Sequence, residues 1–337
     1  MADSQSALDE WLPAELAPVA MRLARADELE YQLGWACLNW SLNALKLKQL
    51  RRPDGLIDVV VSEVRPIPPV ASLLFSEIIN HLRAAIDNVM FYVVETLRGS
   101  PLPDDAAVKV AMPIYQSATK LLEWSNRNRN KVPEFDSSTD LYARIEMLQP
   151  YSSLAVATVI SADFEPFVGQ IALHGVHPLT LLQGYSNMDK HRAIRMAAAR
   201  TLLPQGPMPL GQYDLTMHAV EPGFVIAEGL DTRRHEVDST TPIHMLRPDG
   251  QIWVAPGTEL AQIHTYVSDV VIPTLVTGAP AATDLPRQVG LDDTGETLES
   301  RIRAGSPTPA HERVGAEAVE TASQLAQEPA RALDPPE

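Results

Sequence analysis

Asn80, Arg83 and Asp87 stand three and four residues apart in the run Glu77-Ile-Ile-Asn-His-Leu-Arg-Ala-Ala-Ile-Asp-Asn88. On a helix this spacing gathers their side chains on one face, with His81 and Asn88 close beside it. A guanidinium so placed can meet phosphate oxygens while Asp87 fixes its orientation. The same spacing also describes an intrahelical Arg83–Asp87 ion pair on a solvated face, worth a few tenths of a kcal/mol.

A second stretch, Ser186-Asn-Met-Asp-Lys-His-Arg192, is its natural partner. Asn187 and His191 are i, i+4 neighbours, while Asp189 and Arg192 point to roughly the opposite side. Histidine is the side chain best suited to proton transfer near neutral pH, and Lys190 and Arg192 raise the local positive potential. Ser186-x-x-Asp189, following Gly184, also resembles a capping box that starts a helix. Capping and anion binding are compatible, since helix N-termini do both. The site expected from these residues has His191 moving protons and Arg83 and Lys190 stabilising phosphate charge. Asn80, Asp87, Asn187, Asp189 and Arg192 would bind and orient the ligand, with no metal ligand set and no cofactor among them.

Other chemistries find little support. His174-Gly-Val-His177 has a chelating interval, yet no Cys or carboxylate cluster accompanies it. The chain lacks a GxxxxGKS phosphate loop, a dinucleotide fingerprint after a strand, and GxSxG. The basic run Arg127-Asn-Arg-Asn-Lys131 reads most simply as a solvated loop, though it could contact a phosphate backbone.

The elements that must carry these residues follow from periodicity. Glu15 to Gln49 reads as one long helix with Tyr31, Trp35 and Trp40 in a core seam, and Leu56 to Val64 as a strand after a Pro-Asp-Gly turn. The first motif lies on a helix from Val70 to Leu97. A short strand is expected at Val108 to Ile114, with helices at Ser117 to Asn128 and Thr139 to Leu148. Tyr151 to Val176 reads as a packed insertion, and His177 to Leu203 as a helix that Gly184 interrupts. Short strands near Tyr213 to Val220, Phe224 to Leu230, Ile243 to Leu246 and Gln251 to Ala255 suggest an antiparallel meander, closed by a helix from Leu260 to Val276. From residue 279 the composition, rich in Pro, Ala, Gly, Thr and Glu, predicts a disordered acidic tail with at most a transient helix around Val314 to Leu325. The expected fold class is α+β, a helical bundle core with a small antiparallel sheet. The expected divisions are a helical domain over 13–203, the meander and closing helix over 204–278, and the tail.

A formal charge of -16 over 337 residues opposes general attraction to nucleic acid or anionic membrane without excluding a local basic pocket. The single cysteine, Cys37, permits no internal disulfide, which suits a cytoplasmic protein. No signal peptide or membrane span is read from the sequence.

The two motifs resemble those of a widespread uncharacterised bacterial family that couples "NLRSALDHL" to "SNIDKHR". Met112-Pro-Ile114 and Leu148-Gln-Pro-Tyr151 fit the same pattern. A looser similarity is to HEPN-like helical ribonuclease and nucleotide-binding domains, which set an Arg and a His four to six residues apart on one helix. Here that pair would be assembled from Arg83 and His191 on two helices. The resemblance implies a metal-independent ribonuclease or phosphate-ligand-binding protein, with RNA or a nucleotide as partner. It also implies a homodimer and a phage-defence or toxin setting. The rival expectation is a non-catalytic interaction protein whose polar motif residues tie core helices together.

Overall fold

The computed structural model describes residues 12–153, 175–191, 194–201, 217–230, 241–250, 252–280 and 285–325. Its fold is α+β, as the periodicity predicts. Helix α1 (Ala17–Ser41) and helix α2 (Pro69–Arg98) make the most extensive helix–helix contact. Alanines 17, 20, 24 and 26 of α1 are buried, and such small side chains let neighbouring helices approach closely. The apolar side of α2 (Ile78, Leu82, Ala85, Ile86, Val89, Val93) is buried almost completely. Pro69 pre-sets the first turn of α2, and Gly99, at φ 71°, ends it in the left-handed conformation.

Between α1 and α2 runs a hairpin of β1 (Leu45–Arg51) and β2 (Ile57–Val64), turned at Arg52-Pro-Asp-Gly55. The expected long helix therefore stops eight residues early. Leu45-Lys-Leu-Lys alternates with period two, and pairing with β2 overrides the spacing of three and four that also fits Trp40, Asn43 and Leu47. The short helices α3 (Asp104–Ala107), α4 (Ala118–Asn128) and α5 (Asp140–Met147) follow. Ser117 and Thr139 cap the latter two through their hydroxyls. Residues 108–114 form turns and extended chain rather than the expected strand, with no partner strand among the described residues. Of the insertion expected over 152–176, residues 154–174 lie outside the described residues.

Helix α6 (Pro178–His191) is continuous through Gly184. The glycine serves close packing instead: a Cβ there would lie 2.8 Å from Pro248 Cγ. Strands β3 (Met196–Thr201), β4 (Met217–Ala219), β6 (Ile243–Leu246) and β7 (Trp253–Val254) form an antiparallel sheet of order β4-β3-β6-β7. Strand β5 (Val225–Leu230) leaves this run and pairs with β2. The expected simple meander is thus two sheets. β2 buries Ile57, Val59, Val60 and Val61, which fits a central strand covered on both faces and in need of a second neighbour.

Helix α7 (Pro256–Tyr266) passes through a π turn (Val267–Val271) into α8 (Ile272–Thr277). The wider turn precedes Pro273, whose ring cannot follow a regular helix interior. Residues 285–325, expected within a disordered tail, instead form α9 (Leu298–Ala304) and α10 (Ala310–Leu325), packed on α1; residues 326–337 lie outside the described residues. One core runs from Leu16 through Leu275 to Ile302, so the packing does not divide at residue 203. No described helix is long and apolar enough to cross a membrane.

Candidate functional site

Helices α1, α2 and α6 enclose an open groove of about 450 Å³. From α2 come Glu77, Asn80, His81, Ala84 and the pair Arg83 and Asp87, all on the polar face that interrupts its apolar surface. α1 contributes Arg22, and α6 contributes Ser186 and Lys190, one helical turn apart.

His81 is half-buried, and its Nδ1 is buried with no hydrogen-bond partner among the described residues. Burial lowers its pKa, the Arg22 and Arg25 charges lower it further, and only Glu77 opposes them. The imidazole is accordingly neutral at physiological pH. Arg22 and Lys190 make no ion pair or side-chain hydrogen bond among the described residues. Two cations without ion-pair partners among the described residues therefore face the groove, with Glu77 as the nearby unpaired anion, around a neutral imidazole whose buried Nδ1 is unpartnered.

Arg83 and Asp87 do different work. Arg83 Nε donates to Asp87 Oδ2 at 3.2 Å, and its Nη2 donates to the Met112 carbonyl at 2.7 Å. Asp87 Oδ1 accepts the Met112 N–H at 2.9 Å. The pair thus closes a ring on one peptide unit and clamps the 108–114 segment against α2. Only the Nη1 edge of Arg83 remains for a ligand.

Asp189 does not start a helix, since Ser186 is the ninth residue of α6. The capping role expected for it fails, and His177 performs that role: its Nδ1 accepts the Leu179 N–H at 3.2 Å. Asp189 instead accepts from the Ser76 hydroxyl and from Asn80 Nδ2, the latter at 3.2 Å, tying α6 to α2. Asn187 is exposed and lines no part of the groove. His191 is the last residue of α6; its side chain, like Arg192 and His174, lies outside the described residues.

The structure thus joins Asn80, Arg83, Asp87 and Lys190 around one hollow, and adds Arg22, Glu77, His81 and Ser186, which sequence reasoning did not select. Arg22 and Arg25, three apart and the only cations in α1, were the available signal for the α1 contribution. In the basic run, Arg129 pairs with Asp136 at 3.0 Å and Lys131 with Asp105, as a solvated ion-paired loop would. Among the described residues no group of three or more His, Cys, Asp or Glu is arranged to hold a metal ion. No family model, curated protein or solved structure matches the chain.

Proposed function

We propose that the protein binds a phosphate-bearing ligand in the groove between α1, α2 and α6. The observation that carries this reading is the convergence of Arg22, Lys190 and the outer edge of Arg83 on a neutral His81, in a chain whose formal charge is -16. A local cationic hollow in an acidic protein selects a small anion or a strand end and repels polyanions over the rest of the surface. RNA and nucleotides are the first ligands to examine, because the motif resemblance implies them. Cleavage, if it accompanies binding, would use His81 or His191 as the proton acceptor and the cations to stabilise phosphorane charge.

Equilibrium binding of nucleoside monophosphates and a short RNA tests the reading. Arg22→Ala and Lys190→Ala are each expected to weaken binding about tenfold or more, the usual worth of a charge-assisted hydrogen bond. Unchanged affinity in both variants would remove it. Cleavage of the same RNA at equal rates by wild type, His81→Ala and His191→Ala would remove the ribonuclease reading alone, together with the defence or toxin setting that depends on it.

A specific observation favours a second reading. Asn80, Arg83, Asp87 and Asp189 all spend hydrogen bonds on their own fold. On that view the motifs are ties between helices in an interaction protein. Asp189→Ala would then lower the melting temperature while no tested ligand bound to either form.

A further inference from the structure

Helix α10 docks on α1 through a few discrete contacts rather than an apolar seam. Asp27 of α1, 1% exposed, accepts the backbone N–H of Ala310 at 2.8 Å and also accepts from Arg313. A carboxylate on one helix thereby caps the N-terminus of another. Val314 rests on Gly34, where a Cβ would lie 2.8 Å from Val314 Cγ2. Glu317 accepts from the Tyr31 hydroxyl and the Trp35 indole N–H, each at 2.9 Å, and the Arg313 guanidinium stacks on the Tyr31 ring at 4.7 Å. Of the α10 residues whose side chains are described, Ala310 alone is buried. A groove of about 340 Å³, lined by Leu33, Cys37, Leu38, Pro256 and Val314, stays open between α10, α1 and the start of α7.

An element held this way buries little apolar surface, and such elements open at free energies well below global unfolding. We propose that the α1–α7 face is a helix-docking groove and that α10 is its tethered, releasable occupant, exchanging with an undocked state that bares Cys37. The face fits an amphipathic helix that sets its N-terminus over Asp27 and presents arginine, valine and glutamate at the spacing of Arg313, Val314 and Glu317. The chain's own α10 is the occupant; a helix with the same pattern from elsewhere would compete with it.

Cys37 is the sole cysteine and lines the groove together with Val314 of α10, which makes it the probe for undocking. It is half-buried, and burial pushes its thiol up to about 12, so it labels slowly while α10 is in place. The experiment follows thiol labelling of the full chain. Arg313→Ala is expected to label about tenfold faster, as loss of a charge-assisted hydrogen bond dictates. Gly34→Ala strengthens α1 as a helix yet drives a methyl group into Val314, so it should label several-fold faster at an unchanged or higher melting temperature. A synthetic peptide of residues 308–325, added in trans, should slow labelling of the Arg313→Ala chain. Should Arg313→Ala also lower the melting temperature, the Gly34→Ala rate decides. Wild-type rates in both variants overturn the proposal, as does acceleration that tracks global stability in denaturant. A peptide without effect overturns the docking groove.

Discussion

Asp87 serves two donors at once, the Arg83 guanidinium and the Met112 amide, so its removal strands both. Asp87→Ala is expected to cost about 2–3 kcal/mol in denaturant unfolding, well beyond the few tenths typical of an exposed helical ion pair. The sequence showed the Arg83–Asp87 spacing but could not show the Met112 peptide, which reaches the pair only through folding. His177 makes a second prediction at this scale. Its Nδ1 accepts from Leu179, which leaves the proton on Nε2 facing the Tyr266 hydroxyl at 3.3 Å, and burial pushes its pKa down to about 4 from 6.5. Below pH 6.5 the unfolded chain takes up a proton that the native ring refuses. Stability from this group is therefore full above pH 6.5 and falls as the pH drops towards 4, by about 3 kcal/mol in all. Denaturant midpoints measured across that window should slope for wild type and flatten for His177→Asn, which keeps a capping acceptor.

At the scale of elements, α6 is fastened at three levels: His177 at its start, Asp189 near its end, and Tyr185 between. The Tyr185 hydroxyl donates to Glu259 at 2.8 Å, and Arg247 meets the same carboxylate through Nε and Nη2 at 2.8 and 2.7 Å, all buried. Two opposite charges without water depend on each other. Glu259→Gln should cost about 3–5 kcal/mol, whereas replacing Arg247 and Glu259 together with apolar residues of similar volume should cost far less. Equilibrium denaturation of the single and double variants distinguishes the two outcomes. Periodicity revealed α2, α4 and α5 nearly to the residue, because their apolar faces repeat cleanly. It failed where two periods overlap, at Leu45 to Gln49, and where pairing is remote, since nothing near Val225 to Leu230 announces β2 as its neighbour. The Ser186-x-x-Asp189 box misled because capping residues also occur inside helices, where they reach neighbouring elements.

For the molecule as a whole, Trp40 joins the two layers. It is 2% exposed, donates its indole N–H to the Pro66 carbonyl at 3.0 Å, and packs with Leu45, Val61, Ala198 and Ile243 from both sheets. Trp40→Ala is expected to cost about 3–5 kcal/mol and to loosen both sheets together, which near-ultraviolet circular dichroism and denaturation would register as one transition. Tyr31 and Trp35, read from the sequence as members of the same core seam, instead turn their polar atoms to Glu317. The sequence announced α10 only as a transient helix around Val314 to Leu325, for the matching reason. Among its described residues the contacts with α1 include those of Ala310, Arg313, Val314 and Glu317, and much of the fit is supplied by Gly34 and Asp27 far upstream. That separation sets a timetable. Asp27 and Ala310 are 283 positions apart, so at ribosomal speeds of about 5–20 residues per second α1 is synthesised roughly 15–60 s before its covering helix exists. Through that interval Asp27 and the Gly34 flank of α1 stand without the contacts that α10 later supplies.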